Sequence, residues 1–422
     1  MPVMRPFKAF RPKQEFAQKV AAKPYDVLNS AEAREEVKGN PYSFLHIGKP
    51  EVDLDPSIDL YDKRVYQKAK ENLHKLIDDK ILVEDDEENL YLYAQTMDGR
   101  TQYGFVGCVH KDDYWNDNIK KHEKTRQDKQ EDRCEHVRVT NAHTGPIFLT
   151  MPDNSEMNAL IEKIAKTEPA NDLVDSMKVR HTSWIVKDKA DSEKLQSIFK
   201  DTKYFYIADG HHRSAAGAIV GKEREQANPN HTGNEEYNYY LAVLFPASHL
   251  YIMDYNRVVC DLNGNSDEEF FAKIKEVFDI EEQAAVDCSG VLNTPKFKPS
   301  KKGEVGMFIN SKWYKCTFKA KFASNDPVEG LDVSLLQNNI LKPILGVDDP
   351  RTCKRIDFVG GIRGLGELER RVNSGEMKVA FAMFATSIKE LMDIADAGQI
   401  MPPKSTWFEP KLADGMFVHF LD

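Results

Sequence analysis

Within one pentapeptide, residues 204–223 of this 422-residue chain switch from the pattern of a buried strand to that of a helix. Tyr-Phe-Tyr-Ile-Ala at 204–208 is a short apolar and aromatic run, suited to a strand with both faces covered. Residues 213–223 read as a helix rich in small side chains, Ser214, Ala215, Ala216, Gly217 and Ala218. Between them stands Asp209-Gly210-His211-His212-Arg213. A strand feeding directly into a helix is the building unit of a layered α/β chain. It also leaves the first N–H groups of the helix without intrahelical acceptors, and the helix dipole then favours an anion there. A carboxylate, two imidazoles and a guanidinium in five residues are chemistry that a packed core does not call for.

The flanking text repeats the alternation. Helical periodicity is read at 65–82, where Ala69, Leu73, Leu76 and Ile77 share a face, and at 158–167, 192–200, 267–278 and 333–345. Strand patterns are read at 90–94, 103–109, 182–186, 239–246 and 379–384. Asp98-Gly99 and Asn310-Ser311 supply hairpin turns, and Ser387 with Glu390 forms a capping box. The expected class is mixed α/β (α+β). Four segments are expected: an N-terminal α/β domain at 1–150, a core carrying the pentapeptide at 151–264, an inserted helix-hairpin subdomain at 265–325, and a C-terminal α/β segment at 326–422 that completes the site.

Charge narrows the partners. With 58 Lys and Arg against 68 Asp and Glu the chain carries −10, which argues against a nucleic-acid partner. No apolar run approaches the roughly 18 residues of a spanning helix, and no apolar segment follows the basic start. Neither a membrane partner nor secretion is expected, and the cytoplasm is the expected location. The six cysteines, at 108, 134, 260, 288, 316 and 353, form no C-x-x-C pair and read as reduced, buried thiols. The sequence leaves the oligomeric state open, a homodimer included.

Several clusters offer chemistry. In the pentapeptide, Asp209 can hold a divalent cation or orient a hydroxyl. His211, His212 and Arg213 can donate to phosphate, Arg213 as a two-pronged fork. Gly210 admits backbone conformations closed to other residues. A plain capped turn and a zinc site are the alternatives. Zinc is disfavoured because adjacent histidines diverge and no second His/Cys pair stands at zincin spacing. His122-Glu123-Lys124-Thr125-Arg126 opens a charge-dense run at 118–138 that reads as a helix. On it Thr125, Lys129 and Arg133 recur every four residues and can edge an anion pocket, with Glu123 the nearest general base. A solvated helix face is the rival. Lys404-Ser405-Thr406, inside Met-Pro-Pro-Lys-Ser-Thr-Trp-Phe-Glu-Pro-Lys at 401–411, offers an ammonium and two hydroxyls after a stiff approach, or else a rigid extension. Asp26 follows a Pro-Tyr turn. Asp357 and Arg363 bracket a glycine-rich turn that lacks the dinucleotide fingerprint.

Taken together, KPYDV at 23–27, IKKHEKT at 119–125, ADGHHR at 208–213, DYNRVV at 254–259, DFVGG at 357–361 and MPPKSTWFEPK at 401–411 resemble the motifs of one uncharacterised bacterial family over nearly the whole chain. The box at 209–213 alone also resembles the phosphate-binding motif of the ParB/sulfiredoxin-like superfamily, whose free-serine kinases carry a closely similar Asp-Gly-His-His-Arg. That resemblance implies a ParB/sulfiredoxin-like core. It implies Asp209 assisting Mg²⁺ or the serine hydroxyl, and His211, His212 and Arg213 on nucleotide phosphates. The sulfiredoxin cysteine has no counterpart, since Gly210 and His211 stand there, and no ParB-like helix-turn-helix is evident.

Residues and resemblance together point to a phosphotransferase moving a phosphoryl group from ATP or ADP, with Mg²⁺, to a small hydroxylated metabolite, free L-serine foremost. Glu123, Asp209 and His122 are the expected catalytic groups. Gly210, His211, His212, Arg213, Lys404, Ser405 and Thr406 are expected on the nucleotide, and Asp26, Thr125, Arg126 and Arg363 on the acceptor. A nucleotide-binding switch with little turnover and a metal-dependent phosphatase or hydrolase are the alternatives.

Overall fold

The computed structural model describes residues 1–283 and 297–422, so the segment expected at 265–325 is described in part and Cys288 lies outside the described residues. The chain forms two compact units, Met1–Leu250 with Pro410–Asp422, and Tyr251–Glu409.

The first unit is built on one nine-stranded mixed sheet. Its strands are β1 (Met4–Arg5), β2 (Tyr91–Met97), β3 (Arg100–His110), β4 (Ile119–Lys120), β5 (Ile147–Met151), β6 (Asn171–Val174), β7 (Arg180–Ile185), β8 (Phe205–Asp209) and β9 (Tyr239–Pro246). The order is β4-β8-β5-β9-β3-β2-β7-β6, with β1 on β3. Asp98 and Gly99, with φ of 50° and 78°, make the two-residue turn between β2 and β3. The division expected at 150/151 would cut through β5. That strand lies between β8 and β9, antiparallel to one and parallel to the other, and all its residues are buried. Residues 1–150 and 151–250 therefore share one sheet rather than forming separate domains.

Helices α1 (Lys63–Asp78), α2 (Gln127–Thr140), α3 (Ser155–Ile164), α4 (Lys189–Asp201) and α5 (His211–Ala227) belong to this unit. Leu149, Leu195, Phe199, Phe205, Ile207 and Leu244 sit in one core cluster, each fully buried side chain contributing about 1.5–3 kcal/mol. The small residues of α5 have a packing cause. Ala215, Ala216 and Ala218 are buried, and a Cβ on Gly217 would fall 2.8 Å from the Tyr240 side chain. The helix read over 118–138 is shorter than expected. Ile119 and Lys120 pair with β8, and the Phe205 N–H donates to the Asn118 carbonyl at 3.0 Å. The sheet thus takes the first residues of that run and α2 starts only at Gln127. Thr125 lies before the helix, so the expected row of Thr125, Lys129 and Arg133 is broken.

The second unit is an antiparallel sheet of β10 (Tyr255–Val259), β11 (Phe278–Glu282), β12 (Glu304–Ile309), β13 (Lys312–Phe318), β14 (Ile356–Gly360) and β15 (Val379–Met383), ordered β11-β13-β12-β15-β10-β14. Asn310 and Ser311, φ 52° and 61°, form the expected turn between β12 and β13. Its helices are α6 (Asp267–Ile274), α7 (Asp332–Leu336), α8 (Gly364–Asn373) and α9 (Ile388–Asp396), the last with the expected capping box at Ser387 and Glu390. The helix read over 333–345 is α7 followed by a π-helical turn, Gln337–Leu341. Among the described residues the cysteines are unpaired thiols. Cys108, Cys134 and Cys316 are buried as expected, whereas Cys260 is exposed. No described helix is long and apolar enough to cross a membrane.

Candidate functional site

Strand direction explains how distant residues meet at the box. β4 and β8 run parallel, with Ile119 opposite Phe205 and Lys120 opposite Tyr206. The residues after the two strands are therefore delivered to the same end of the sheet, Lys121-His122-Glu123 from one and Asp209-Gly210-His211 from the other. β5 runs antiparallel to β8, so the Gly145-Pro146 that precede it arrive there too. The turn itself depends on Gly210, whose φ of 87° is left-handed. A Cβ would have room, its nearest neighbour 3.6 Å away, so the backbone angle and not space makes glycine necessary.

His122 and His211 meet edge to face with ring centroids 4.5 Å apart, and both are buried. Burial dominates their protonation. It brings His122 down to about 4, against the pull of Asp209 and a hydrogen bond to the Ile207 carbonyl. It holds His211 well below the usual imidazole range, and neighbouring His122 adds to that. Both rings are neutral near pH 7. Nδ1 of His122 and Nε2 of His211 are buried without a hydrogen-bond partner. Glu123, its side chain 55% exposed, brings Oε2 to 3.9 Å from His211 Nδ1. One ligand atom from each of His122, Glu123 and His211 lies within 4.8 Å of the others, a spacing at which one metal ion could be shared.

Asp209 is held from two sides. Its Oδ2 accepts from Lys411 Nζ at 2.5 Å and its Oδ1 from the Gly210 N–H at 2.9 Å. Burial pushes its carboxyl up, but Lys411 and these bonds more than offset that, leaving it below the ordinary carboxylate range. Arg213 is also engaged. Its fork grips Asp414 at 2.8 and 2.6 Å, so the two-pronged position expected for a phosphate is filled by a carboxylate of this chain. Gly145 makes room for the pair, since a Cβ there would fall 2.3 Å from Asp414 Oδ1 and 2.4 Å from Arg213 Nη1. The Tyr25 ring lies under the guanidiniums of Arg133 and Arg213, at 4.0 and 5.2 Å. Exposed Asp26 is near enough to raise the proton affinity of His212 and Arg213. Beside the ion pair is a cavity of about 30 Å³, lined also by His136 and His143 and large enough for about one water.

His212 accepts from the Arg126 N–H at 3.1 Å, while the Arg126 side chain turns to Asp128. Thr125 donates to Gln130 at 2.8 Å. The first unit thus brings Asp26, His122, Glu123, Arg126, Asp209, Gly210, His211, His212 and Arg213 to one end of the sheet. Lys404, Ser405, Thr406 and Arg363 belong to the second unit. There Ser405 donates to the Pro402 carbonyl at 2.6 Å, which closes the turn after the two prolines. Lys404 and Arg363 are exposed, and Asp357 pairs with Arg371 at 2.7 Å. Sequence reasoning missed Lys411, Asp414, Tyr25 and Gly145. Lys411 closes the very motif singled out at 401–411, and Gly145 stood in the Gly-Pro break. Asp414 carried no signal, being 201 positions from its partner.

Residues 4–334 match the family described as a protein of unknown function, DUF1015. No curated protein matches. Among solved structures, a free serine kinase in complex with AMP is 14% identical, with a TM-score of 0.33 over 72% of this chain and 86% of that one. SbnI with a C-terminal truncation, from Staphylococcus aureus, is 10% identical, with a TM-score of 0.36 over 73% and 85%. A conserved hypothetical protein from Pyrococcus furiosus is 15% identical, with a TM-score of 0.33 over 74% and 95%. Similarity this low says nothing about chemistry.

Proposed function

This chain belongs to the DUF1015 family, and we propose that it is a nucleotide-dependent phosphotransferase on a ParB/sulfiredoxin-like core, acting on a small hydroxylated metabolite, free L-serine foremost. The observation that carries the reading is the convergence of His122 and Glu123 on His211, with Asp209 tied to Lys411, at the start of helix α5. A general base, a fixed ammonium and a helix N-terminus are what phosphoryl transfer asks of a protein. The acceptor oxygen attacks the terminal phosphorus as the bond to the nucleotide's bridging oxygen breaks, and the hydroxyl proton passes to the Glu123 carboxylate. Lys411 and the N–H groups opening α5 neutralise the phosphates. His122 and His211, neutral, line the base without competing for the proton. Asp26 and Arg126, which flank His212, orient the acceptor. The bonds to Lys411 and the Gly210 N–H take one lone pair on each Asp209 oxygen, so the carboxylate keeps acceptor positions with which it would hold Mg²⁺ beside the phosphates, with Lys411 fixing its orientation. Arg213 acts on the site by holding Asp414 and not by gripping phosphate.

Incubation with ATP or ADP, Mg²⁺ and L-serine is expected to yield phosphoserine. Glu123→Gln is expected to keep nucleotide binding and lower transfer by roughly 10²- to 10⁴-fold. Tight nucleotide binding with no phosphorylated product, across a panel of hydroxylated metabolites, would sink the transferase and leave a nucleotide switch. The grouping of His122, Glu123 and His211 favours a second reading, a metal-dependent phosphatase or hydrolase. Stoichiometric transition metal in the purified protein, lost in His122→Ala, would select it.

A further inference from the structure

In the second unit a buried charge stands beside an empty volume. Arg257, on strand β10 one in from the edge of the sheet, is 3% exposed. Its two terminal nitrogens donate to backbone carbonyls, one to Tyr255 and the other to Lys404 at 3.0 Å. Each keeps a second N–H. The guanidinium lies over the Phe358 ring at 5.5 Å. Among the described residues no carboxylate pairs with Arg257. Burial accordingly brings its pKa down to about 10, opposed only by Tyr255. A buried charge without a counter-charge is costly, and chains normally pair it.

The same guanidinium lines a cavity of about 300 Å³, at the lower end of small-molecule sites. Most of the remaining wall is apolar, with Leu341, Ile356, Phe358 and Pro402 among its residues. One side is the π-helical turn that carries Gln337 and Leu341, a backbone irregularity found often at binding sites. Exposed Asp348, half-exposed Asp349 and Arg351 also line it, Asp349 and Arg351 paired with each other at 2.8 Å.

We propose that this cavity is a ligand site for a small monocarboxylate with an apolar body, its carboxylate on Arg257 and its body against Leu341, Ile356 and Phe358. A carboxylate matches the planar fork, and binding it supplies the counter-charge that the fold omits. Asp348, which no cation pairs among the described residues, disfavours a second negative group, and Arg351 is already taken by Asp349, so dicarboxylates and phosphate esters are disfavoured. The site stands independently of the proposed phosphoryl transfer.

The test titrates phenylacetate, succinate and inorganic phosphate into the full-length protein by calorimetry. Phenylacetate is expected to bind with one site. Arg257→Met is expected to weaken it roughly 10- to 100-fold, the loss of a charge-assisted bond. Asp348→Lys, an exposed change that leaves the fold alone, is expected to admit succinate. Three results would each overturn the proposal: no phenylacetate binding at millimolar concentration, succinate or phosphate binding as tightly as phenylacetate, or affinities unmoved by both substitutions.

Discussion

Arg213 and Arg257 are both buried guanidiniums that belong to sequence motifs, and the two units treat them oppositely. In the first unit Arg213 grips Asp414 with both prongs, in a space that Gly145 leaves open. In the second, Arg257 meets, among the described residues, carbonyls and a ring beside a cavity, with no carboxylate on it. Burial alone therefore does not say what an arginine is for. A paired one is a strut that fixes the geometry of its neighbours, whereas an unpaired one is a socket. Arg213 sits in the most conspicuous motif of the chain and attracts the phosphate role, yet its fork is filled. Arg257 sits in DYNRVV at 254–259, a motif to which sequence alone assigns no chemical role.

The sharpest way to break this contrast is to remove a charge from each site. Asp414→Ala leaves Arg213 buried without its carboxylate and is expected to cost about 3–5 kcal/mol in denaturant unfolding. Arg257→Met removes a charge with no carboxylate partner among the described residues; the two carbonyls it leaves are offset by relief of the buried charge, and stability is expected to change by no more than about 1 kcal/mol. Equal costs at the two positions would refute the distinction between strut and socket.

A smaller effect tests the space around the strut. Gly145→Ala puts a methyl group at 2.3–2.4 Å from Asp414 and Arg213, and neither end of a tight ion pair can swing away cheaply. A loss of about 1–3 kcal/mol is expected, the usual range for overpacking. Gly145 is not at a left-handed φ, so its loss is steric, and Gly375→Ala, with nothing within 4 Å of the added carbon and a φ of 78°, shows by contrast what a backbone cost alone amounts to.

The turns and the strand-to-helix junction were legible because their causes are local. Asp98-Gly99, Asn310-Ser311 and the capping box at Ser387 are written in neighbouring residues. The junction at 209–213 was legible for the same reason, and the structure brings Glu123 and His122 beside it. Which strands lie side by side could not be read. The pairing of β4 with β8 turns residues expected on a helix into a loop beside His211, and no periodicity in 118–138 announces it. The parallel pairing of β5 with β9 likewise hides the unity of residues 1–250. Ion pairs closed across 201 or 202 positions, Arg213 with Asp414 and Asp209 with Lys411, follow from topology and not from spacing.

The last contrast concerns protonation, and it separates the units once more. His122 is buried neutral, with a pKa of about 4 against 6.5 in the unfolded chain. Between these values the unfolded state binds a proton that the native state refuses, so stability rises with pH across that window and is complete above about pH 6.5. On acidification it is lost, at up to about 1.4 kcal/mol per pH unit for this one group. His211, also buried and depressed, adds to the same slope. The Arg257 socket contributes nothing here, because its guanidinium stays charged throughout. Urea unfolding from pH 4 to pH 7 is therefore expected to show a slope that His122→Asn reduces and Arg257→Met leaves unchanged. An unchanged slope in His122→Asn would mean that this ring is hydrated in solution, and the buried pair of imidazoles beside Glu123 would then not be the dry wall that the transfer chemistry requires.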